Sequence, residues 1–188
     1  MFETLIQKDR ELLIYLNNLG SEQWDSLWLF ITNQLNWIPL FALVIFLIFK
    51  NLGWRKGSFL FFFLIVMVAF SDQFTNMIRG IFERLRPNND IRISHLLRTL
   101  ITPQSYSFTS GHATTSMTFS VFVWLFFKGR YKNIRLIFIF PLVFAYSRLY
   151  LGVHFPIDIL TGASVGTIIG YVFFKLHGFL ERKFFPSV

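Results

Sequence analysis

The sequence predicts an all-α bundle of membrane-spanning helices, and three observations support this prediction. Hydrophobic residues make up 54% of the 188 residues, and Phe alone occurs 26 times. Asp, Glu, Lys and Arg together make up only 15%, well below the quarter that is usual in soluble domains. The charges that are present fall between long charge-free runs, which is the pattern of spanning helices joined by polar loops.

Charge-free runs predict five spans and one domain over residues 1–188. The runs cover residues 27–49, 57–71, 113–127, 136–147 and 159–174. A span needs about 20 residues, so the shorter runs must extend into charged neighbours. Upstream, residues 1–33 form an amphipathic segment that we expect in the membrane interface, and residues 27–33 fit either that segment or the first span. A sixth, weakly apolar span near residues 11–30 is the alternative.

The charge of the loops predicts which end of the bundle faces the cytoplasm. Residues 50–56 and 128–135 carry only positive charges, and the tail beyond residue 175 is also basic. By the positive-inside rule these segments are cytoplasmic, which places loops 80–112 and 148–156 outside, in a multi-pass protein of the cell (inner) membrane. The net charge of +8 then belongs near anionic headgroups and does not indicate nucleic acid. The absence of cysteine excludes disulfides and thiol catalysis.

Three polar clusters lie on the predicted outer side. They are "RGIFERLRP" at 79–87, "SFTSGH" at 107–112 and "SRLYLGVHFPID" at 147–158. The spans between them bring all three to one membrane face, and ionisable groups at a span are functional by default. The candidate site residues are Arg79, Arg86, Ser110, Gly111, His112, Arg148, His154 and Asp158.

The residue types in these clusters fit phosphate chemistry. Three arginine side chains present planar forks of N–H donors that match phosphate oxygens. Ser110 is a good helix N-cap, and Gly111 lets an anion approach the free N–H groups of the helix that follows. His154 and Asp158 are four residues apart and would share a face of a continuous helix, although His154 precedes Pro156. A carboxylate on one imidazole nitrogen leaves the other nitrogen free to attack.

We therefore predict phosphoryl transfer through a phosphohistidine. His154 attacks phosphorus, Asp158 orients it, and His112 protonates the leaving oxygen and then activates water. The phosphate oxygens are held by the Gly111 backbone, Ser110 and the arginines Arg79, Arg86 and Arg148. The sequence offers no cluster of carboxylates for Mg²⁺, and the arginines supply the equivalent charge, so we predict neither a metal nor another cofactor.

The clusters resemble the signature of the type 2 phosphatidic acid phosphatase superfamily, which also contains vanadium haloperoxidases. That signature reads K-x6-R-P, then P-S-G-H, then S-R-x5-H-x3-D. Residues 147–158 match its third part in full, Thr109 replaces the proline of the second part, and Arg79 replaces the usual lysine of the first. Over residues 79–158, the resemblance implies a membrane lipid phosphatase. The short loops look like those of bacterial undecaprenyl diphosphate phosphatases and phosphatidylglycerophosphatases.

The resemblance implies a lipid phosphomonoester or diphosphate as substrate, with undecaprenyl diphosphate favoured. Phosphatidylglycerophosphate, phosphatidic acid and lipid A are the alternatives. A non-catalytic lipid or anion transporter would explain the arginines but would leave the two histidines and the aspartate without a role. A haloperoxidase is disfavoured because those relatives are mostly soluble. Beyond the bilayer and the lipid substrate, the sequence shows no sign of an obligate protein partner.

Two further patterns have ordinary structural interpretations. We expect Arg84, Arg92 and Arg98 to be interfacial anchors whose charged ends reach the headgroups. Glycines at 162, 166 and 170 form a stripe of small residues that predicts close helix packing within the bundle, with homodimerisation as the alternative.

Overall fold

A computed structural model describes residues 2–186 and confirms the all-α prediction. Its helices are α1 (Phe2–Asn18), α2 (Glu22–Thr32), α3 (Ile38–Phe82), α4 (Gly111–Phe127), α5 (Ile139–Tyr150) and α6 (Pro156–Phe184), and this part of the chain contains no strand. Four short 3₁₀ turns lie between them. The candidate residues are therefore carried by helix ends and by the loop between α3 and α4.

The 45-residue helix α3 contains residues 38–49 of the first predicted run and all of the second. Gly53 adopts φ 68° and ψ −175°, which breaks the helical conformation and divides α3 into two arms, residues 38–52 and 54–82. Glycine reaches positive φ without steric cost, so the break occurs where the sequence permits it. The stretches 34–89 and 156–184 are long and apolar enough to cross a bilayer by length and composition. The two arms together with α4, α5 and α6 give the five predicted apolar helices.

The N-terminal segment forms two short helices and no sixth span. Because α1 ends at Asn18 and α2 begins at Glu22, residues 11–30 do not form one helix. Residues 27–32 lie in α2, and the side chain of Asn33 then caps the next turn by accepting the Leu35 N–H. Asn17 is fully buried and donates to the Tyr150 carbonyl at 2.7 Å. This buried amide ties α1 to the end of α5.

The glycine stripe packs α6 directly against α4. A Cβ added at Gly162 would lie 2.7 Å from the Ser110 carbonyl oxygen, and one added at Gly170 would lie 2.6 Å from that of Thr118. Such distances are far below van der Waals contact, so only glycine allows this approach. The Ser110 N–H also donates to the Asp158 carbonyl at 3.1 Å. The stripe thus packs helices within the bundle, as predicted, and brings the second and third polar clusters together.

The core between α3, α4 and α5 is largely aromatic. Phe122, Phe127, Phe140 and Phe144 are each exposed by 4% or less. At the end of the bundle where the basic loops lie, Lys56 pairs with Glu181 at 3.3 Å. The polar clusters lie at the other end, so the two ends differ in chemistry as the loop charges predicted.

Candidate active site

Arg86 lies in the loop between α3 and α4 and is held from several sides. Its Nε donates to the Ser105 carbonyl at 2.6 Å, and its Nη1 donates to the Val153 carbonyl at 2.9 Å. The same Nη1 lies 3.0 Å from His154 Nε2. Burial, followed by the nearby charge of Arg79, lowers the pKa of Arg86 to about 10. Arg86 is therefore still a cation at neutral pH.

His154 lies on the turn before α6 and is 1% exposed. Because Arg86 can only donate, Nε2 accepts, and the imidazole proton is assigned to Nδ1. Nδ1 faces Asp158 Oδ2 at 3.4 Å, within ion-pair distance but without hydrogen-bond geometry. Burial, followed by the charge of Arg86, holds the pKa of His154 well below its usual value. The imidazole is therefore neutral at neutral pH, and its Nε2 is protonated only in more acidic solution.

Asp158 is fully buried in the first turn of α6, where Pro156 begins the helix. Its Oδ2 accepts the Phe155 N–H at 2.9 Å, which satisfies a backbone donor at the start of the helix, and its Oδ1 accepts from Arg84 Nη1 at 2.7 Å. The predicted four-residue pairing with His154 is present, although the histidine itself precedes the helix. The carboxylate is fixed at both oxygens.

The N-terminus of α4 lies beside the Arg79 guanidinium. Ser110 caps the helix as predicted, with its hydroxyl accepting the Ala113 N–H at 3.4 Å. A Cβ added at Gly111 would lie 3.0 Å from Arg79 Nη2, so the guanidinium lies over the glycine. Arg79 Nε also donates to the Thr109 carbonyl at 3.1 Å. A guanidinium beside a helix N-terminus is a site suited to an anion.

The His112 side chain on α4 packs against α5, one helical turn from Arg148. The His112 ring stacks on Phe144 with centroids 4.5 Å apart, and Phe144 lies one helical turn before Arg148. Arg148 is 5% exposed and donates from Nη1 to the Thr32 hydroxyl at 2.6 Å. Its Nε is buried without a hydrogen-bond partner among residues 2–186. An unpaired buried donor is costly, and an oxygen of a bound anion would satisfy it.

The structure brings all eight predicted residues to one end of the bundle, but the anchor interpretation is wrong for two arginines. Arg84 donates to Asp158 and to Asp9, each at 2.7 Å. Arg98 donates to both carboxylate oxygens of Asp25 at 3.1 and 3.0 Å. Both guanidiniums are therefore bound to carboxylates within the protein. The side chain of Arg92 pairs with Asp90 at 3.0 Å but is 67% exposed, so the anchor interpretation stays compatible with this arginine.

An apolar helical bundle with arginines around a buried His–Asp pair defines a membrane-embedded phosphatase, and the comparison with known families is specific. The sequence profile of the PAP2 superfamily matches residues 59–182, and the chain belongs to that superfamily. It is a membrane lipid phosphatase, a hydrolase of phosphoric esters.

Curated relatives match most of the chain. The lipid A 4'-phosphatase of Bacteroides thetaiotaomicron is 29% identical over 178 residues, covering 93% of this chain and 79% of the relative. The lipid A 4'-phosphatase of Porphyromonas gingivalis is 25% identical over 184 residues, with coverage of 96% and 78%. The undecaprenyl-diphosphatase of Sulfolobus acidocaldarius is 30% identical over 142 residues, with coverage of 72% and 61%.

Two solved structures share the fold. The transmembrane PAP2-type phosphatidylglycerolphosphate phosphatase of Bacillus subtilis superimposes with a TM-score of 0.75 at 18% identity, covering 95% of this chain and 89% of that one. LpxE of Aquifex aeolicus superimposes with a TM-score of 0.67 at 23% identity, with coverage of 88% and 93%. The similarity extends over most of each chain.

Proposed function

We propose that this membrane phosphatase removes a phosphate from lipid A on the extracytoplasmic face of the inner membrane. Support comes from the two lipid A 4'-phosphatases, which match 93% and 96% of the chain. The sequence alone favoured undecaprenyl diphosphate. That lipid is the second candidate, supported by the Sulfolobus acidocaldarius undecaprenyl-diphosphatase at 30% identity.

The observation that carries the proposed mechanism is the pairing at the two nitrogens of His154. Asp158 faces Nδ1 at 3.4 Å, while Arg86 lies 3.0 Å from Nε2. In the first step Nε2 attacks phosphorus, the N–P bond forms and the P–O ester bond breaks. The proton that the leaving oxygen needs enters with the phosphate monoanion, and His112 takes it up and passes it to that oxygen, which leaves His112 neutral. The Arg86 N–H that donates to Nε2 in this structure donates instead to a phosphate oxygen once Nε2 is bonded to phosphorus, and the guanidinium keeps its proton.

The second step regenerates the enzyme. Water attacks the phosphohistidine, His112 accepts a proton from that water, and the P–N bond breaks to release inorganic phosphate. Arg148 has a free Nε for the phosphate, and Arg79 adds a second guanidinium above Gly111. Fixed cations in a buried site stabilise the charge that grows on the equatorial oxygens, which is the role a metal ion would otherwise have. We propose catalysis without a metal on this basis.

An apolar cavity of about 200 Å³ beside the site suits a lipid tail. Phe144 and Ser116 line it, and both also contact His112. The Phe144 ring stacks on the imidazole, and the Ser116 hydroxyl donates a hydrogen bond to the His112 carbonyl. A chain in this cavity would therefore leave its phosphate close to His112. The remaining wall is apolar except for Gln34 and Thr115, and it includes Phe41, Val44, Leu64, Phe119 and Phe140.

A phosphate-release panel on detergent-purified protein tests the proposal. We expect the fastest release from lipid A, and mass spectrometry of the product should show that the 4'-phosphate is missing. Release from undecaprenyl diphosphate, phosphatidylglycerophosphate and phosphatidic acid should be slower. EDTA should leave the rate unchanged, and vanadate should inhibit because it mimics pentacoordinate phosphorus.

Each alternative outcome has a clear meaning. Fastest release from undecaprenyl diphosphate would select the second candidate. Binding of these lipids without any phosphate release would indicate the transporter alternative. Activity lost in EDTA and restored by Mg²⁺ would contradict the proposed mechanism without metal.

The orientation of the site can be tested because the chain contains no cysteine. Asn89 lies exposed in the loop between α3 and α4, and Asn133 lies exposed at the opposite end of the bundle. In intact cells, a membrane-impermeant thiol reagent should label the Asn89→Cys variant and should label the Asn133→Cys variant only after permeabilisation. The reverse pattern would place the site in the cytoplasm.

A further inference from the structure

The Arg84 guanidinium bridges two buried carboxylates. Nη1 donates to Asp158 Oδ1 and Nη2 donates to Asp9 Oδ2, both at 2.7 Å. The guanidinium also lies over the Phe155 ring, 3.9 Å from its centroid. A planar fork held at both ends and on one face has little freedom, so each carboxylate is fixed relative to the other.

Asp9 connects α1 to the start of α6. It is 4% exposed, and its second oxygen accepts the Ile157 N–H at 2.9 Å, one residue before Asp158. Elsewhere on α1, Leu5, Leu12 and Tyr15 are exposed by 52%, 46% and 63%, as expected for a helix in contact with the bilayer. The amphipathic helix therefore joins the membrane interface to the turn that carries Asp158.

The geometry at Asp158 explains why such support is needed. The carboxylate is fully buried, and a buried charge without a partner is strongly unfavourable. Its approach to His154 Nδ1 is 3.4 Å, too long and poorly angled to fix the carboxylate alone. The Phe155 N–H holds Oδ2 at 2.9 Å and Arg84 holds Oδ1 at 2.7 Å, so the orientation of Oδ2 toward the imidazole depends on both contacts, and Arg84 supplies the opposite charge that the buried carboxylate requires.

We propose that Arg84 and Asp9 form a positioning pair that holds Asp158 against His154 and makes α1 a structural part of the active site. The inference rests on the proposed roles of Asp158 and His154. In this proposal both members act on Asp158 and not on the phosphate itself. Their effect should therefore appear in turnover and much less in phosphate affinity.

Exchange of ¹⁸O between inorganic phosphate and water tests the pair without a lipid substrate. Reversible attack of His154 on phosphate expels one oxygen as water, so each cycle exchanges an oxygen atom. Asp9→Asn preserves shape but removes the charge that Arg84 binds. We expect its exchange rate at saturating phosphate to fall roughly 10- to 100-fold, as for other groups that orient a functional histidine, with little change in the half-saturating phosphate concentration.

Asp90 provides a matched control. It is 7% exposed and also holds α1, through Arg10 at 3.0 Å, but it has no contact with Asp158. Asp90→Asn should keep the wild-type exchange rate while lowering thermal stability in detergent. Arg84→Lys should recover part of the activity lost in Arg84→Ala, because one ammonium can reach only one of the two carboxylates.

The pair acts through Asp158, so its effect should vanish when Asp158 is changed. In an Asp158→Asn background, Asp9→Asn should alter the exchange rate by less than about twofold. A full additional loss in that background, or equal losses in Asp9→Asn and Asp90→Asn, would overturn the pair as a positioning device. If the wild type shows no exchange that His154→Ala abolishes, the proposed mechanism itself fails and the inference fails with it.

Discussion

Replacing His154 by alanine is expected to abolish lipid phosphate release almost completely. The neutral Nε2 beside Arg86 is the proposed attacking atom, and the chemical step has no substitute once it is removed. Loss of a nucleophile lowers kcat by roughly 10⁴- to 10⁶-fold in well-studied hydrolases. The measurement is kcat for lipid A with protein that retains its elution position and thermal unfolding in detergent.

His95 is the matched control for this substitution. It lies exposed in the same loop as Arg86, and we expect His95→Ala to keep wild-type kcat. A His154→Ala variant within about tenfold of wild type would show that another group attacks phosphorus.

Replacing Arg148 by alanine is the second large effect we expect. Its buried Nε has no hydrogen-bond partner within the described range 2–186, and a phosphate oxygen would complete its hydrogen bonding. Loss of one donor aimed at a developing oxyanion costs roughly 10²- to 10³-fold in rate. Arg148→Lys should restore only part of this loss because an ammonium lacks the fork of donors. Comparison of kcat/KM for the two variants measures the contribution of the fork.

Two variants separate this role from the general charge of the site. Thr32→Val removes the present partner of Arg148 Nη1 and should have a much smaller effect than Arg148→Ala, since the guanidinium stays. Arg92→Ala removes an exposed arginine at the same end of the bundle and should leave kcat/KM unchanged. Full activity in Arg148→Lys would show that only the charge is used.

The sequence predicted those parts of the fold that depend on local pattern. Charge-free runs marked the apolar helices, and the glycine spacing predicted close packing within the bundle, which the approach of Gly162 to the Ser110 carbonyl confirms. The first run was nevertheless interrupted at Asn33, where a side-chain cap favours a new turn, and hydropathy does not register such a cap. The break between the two arms of α3 depends on the positive φ of one residue, Gly53, which the sequence permits but does not specify.

The sequence likewise predicted only part of the candidate site. Motif spacing placed the histidines, the aspartate and three arginines, because those groups lie at helix ends that the loops bring together. Arg84 was taken for an anchor because an arginine at a membrane edge fits that role equally well from sequence. Its partner Asp9 lies 75 positions away, and Thr32 lies 116 positions from Arg148. No periodicity links such positions, since only the docking of the N-terminal helices brings them together.

Mapping the phosphorylated residue tests the central claim most directly. The chain would be mixed with ³²P-labelled lipid A, quenched within milliseconds in alkaline detergent, which preserves a P–N bond, and digested with trypsin. Cleavage after Arg98, Lys128, Arg148 and Lys175 separates the two histidines into peptides 99–128 and 149–175. The account predicts label on His154 in peptide 149–175 and none in the His154→Ala variant. Label on His112, or full turnover without any labelled histidine, would contradict it.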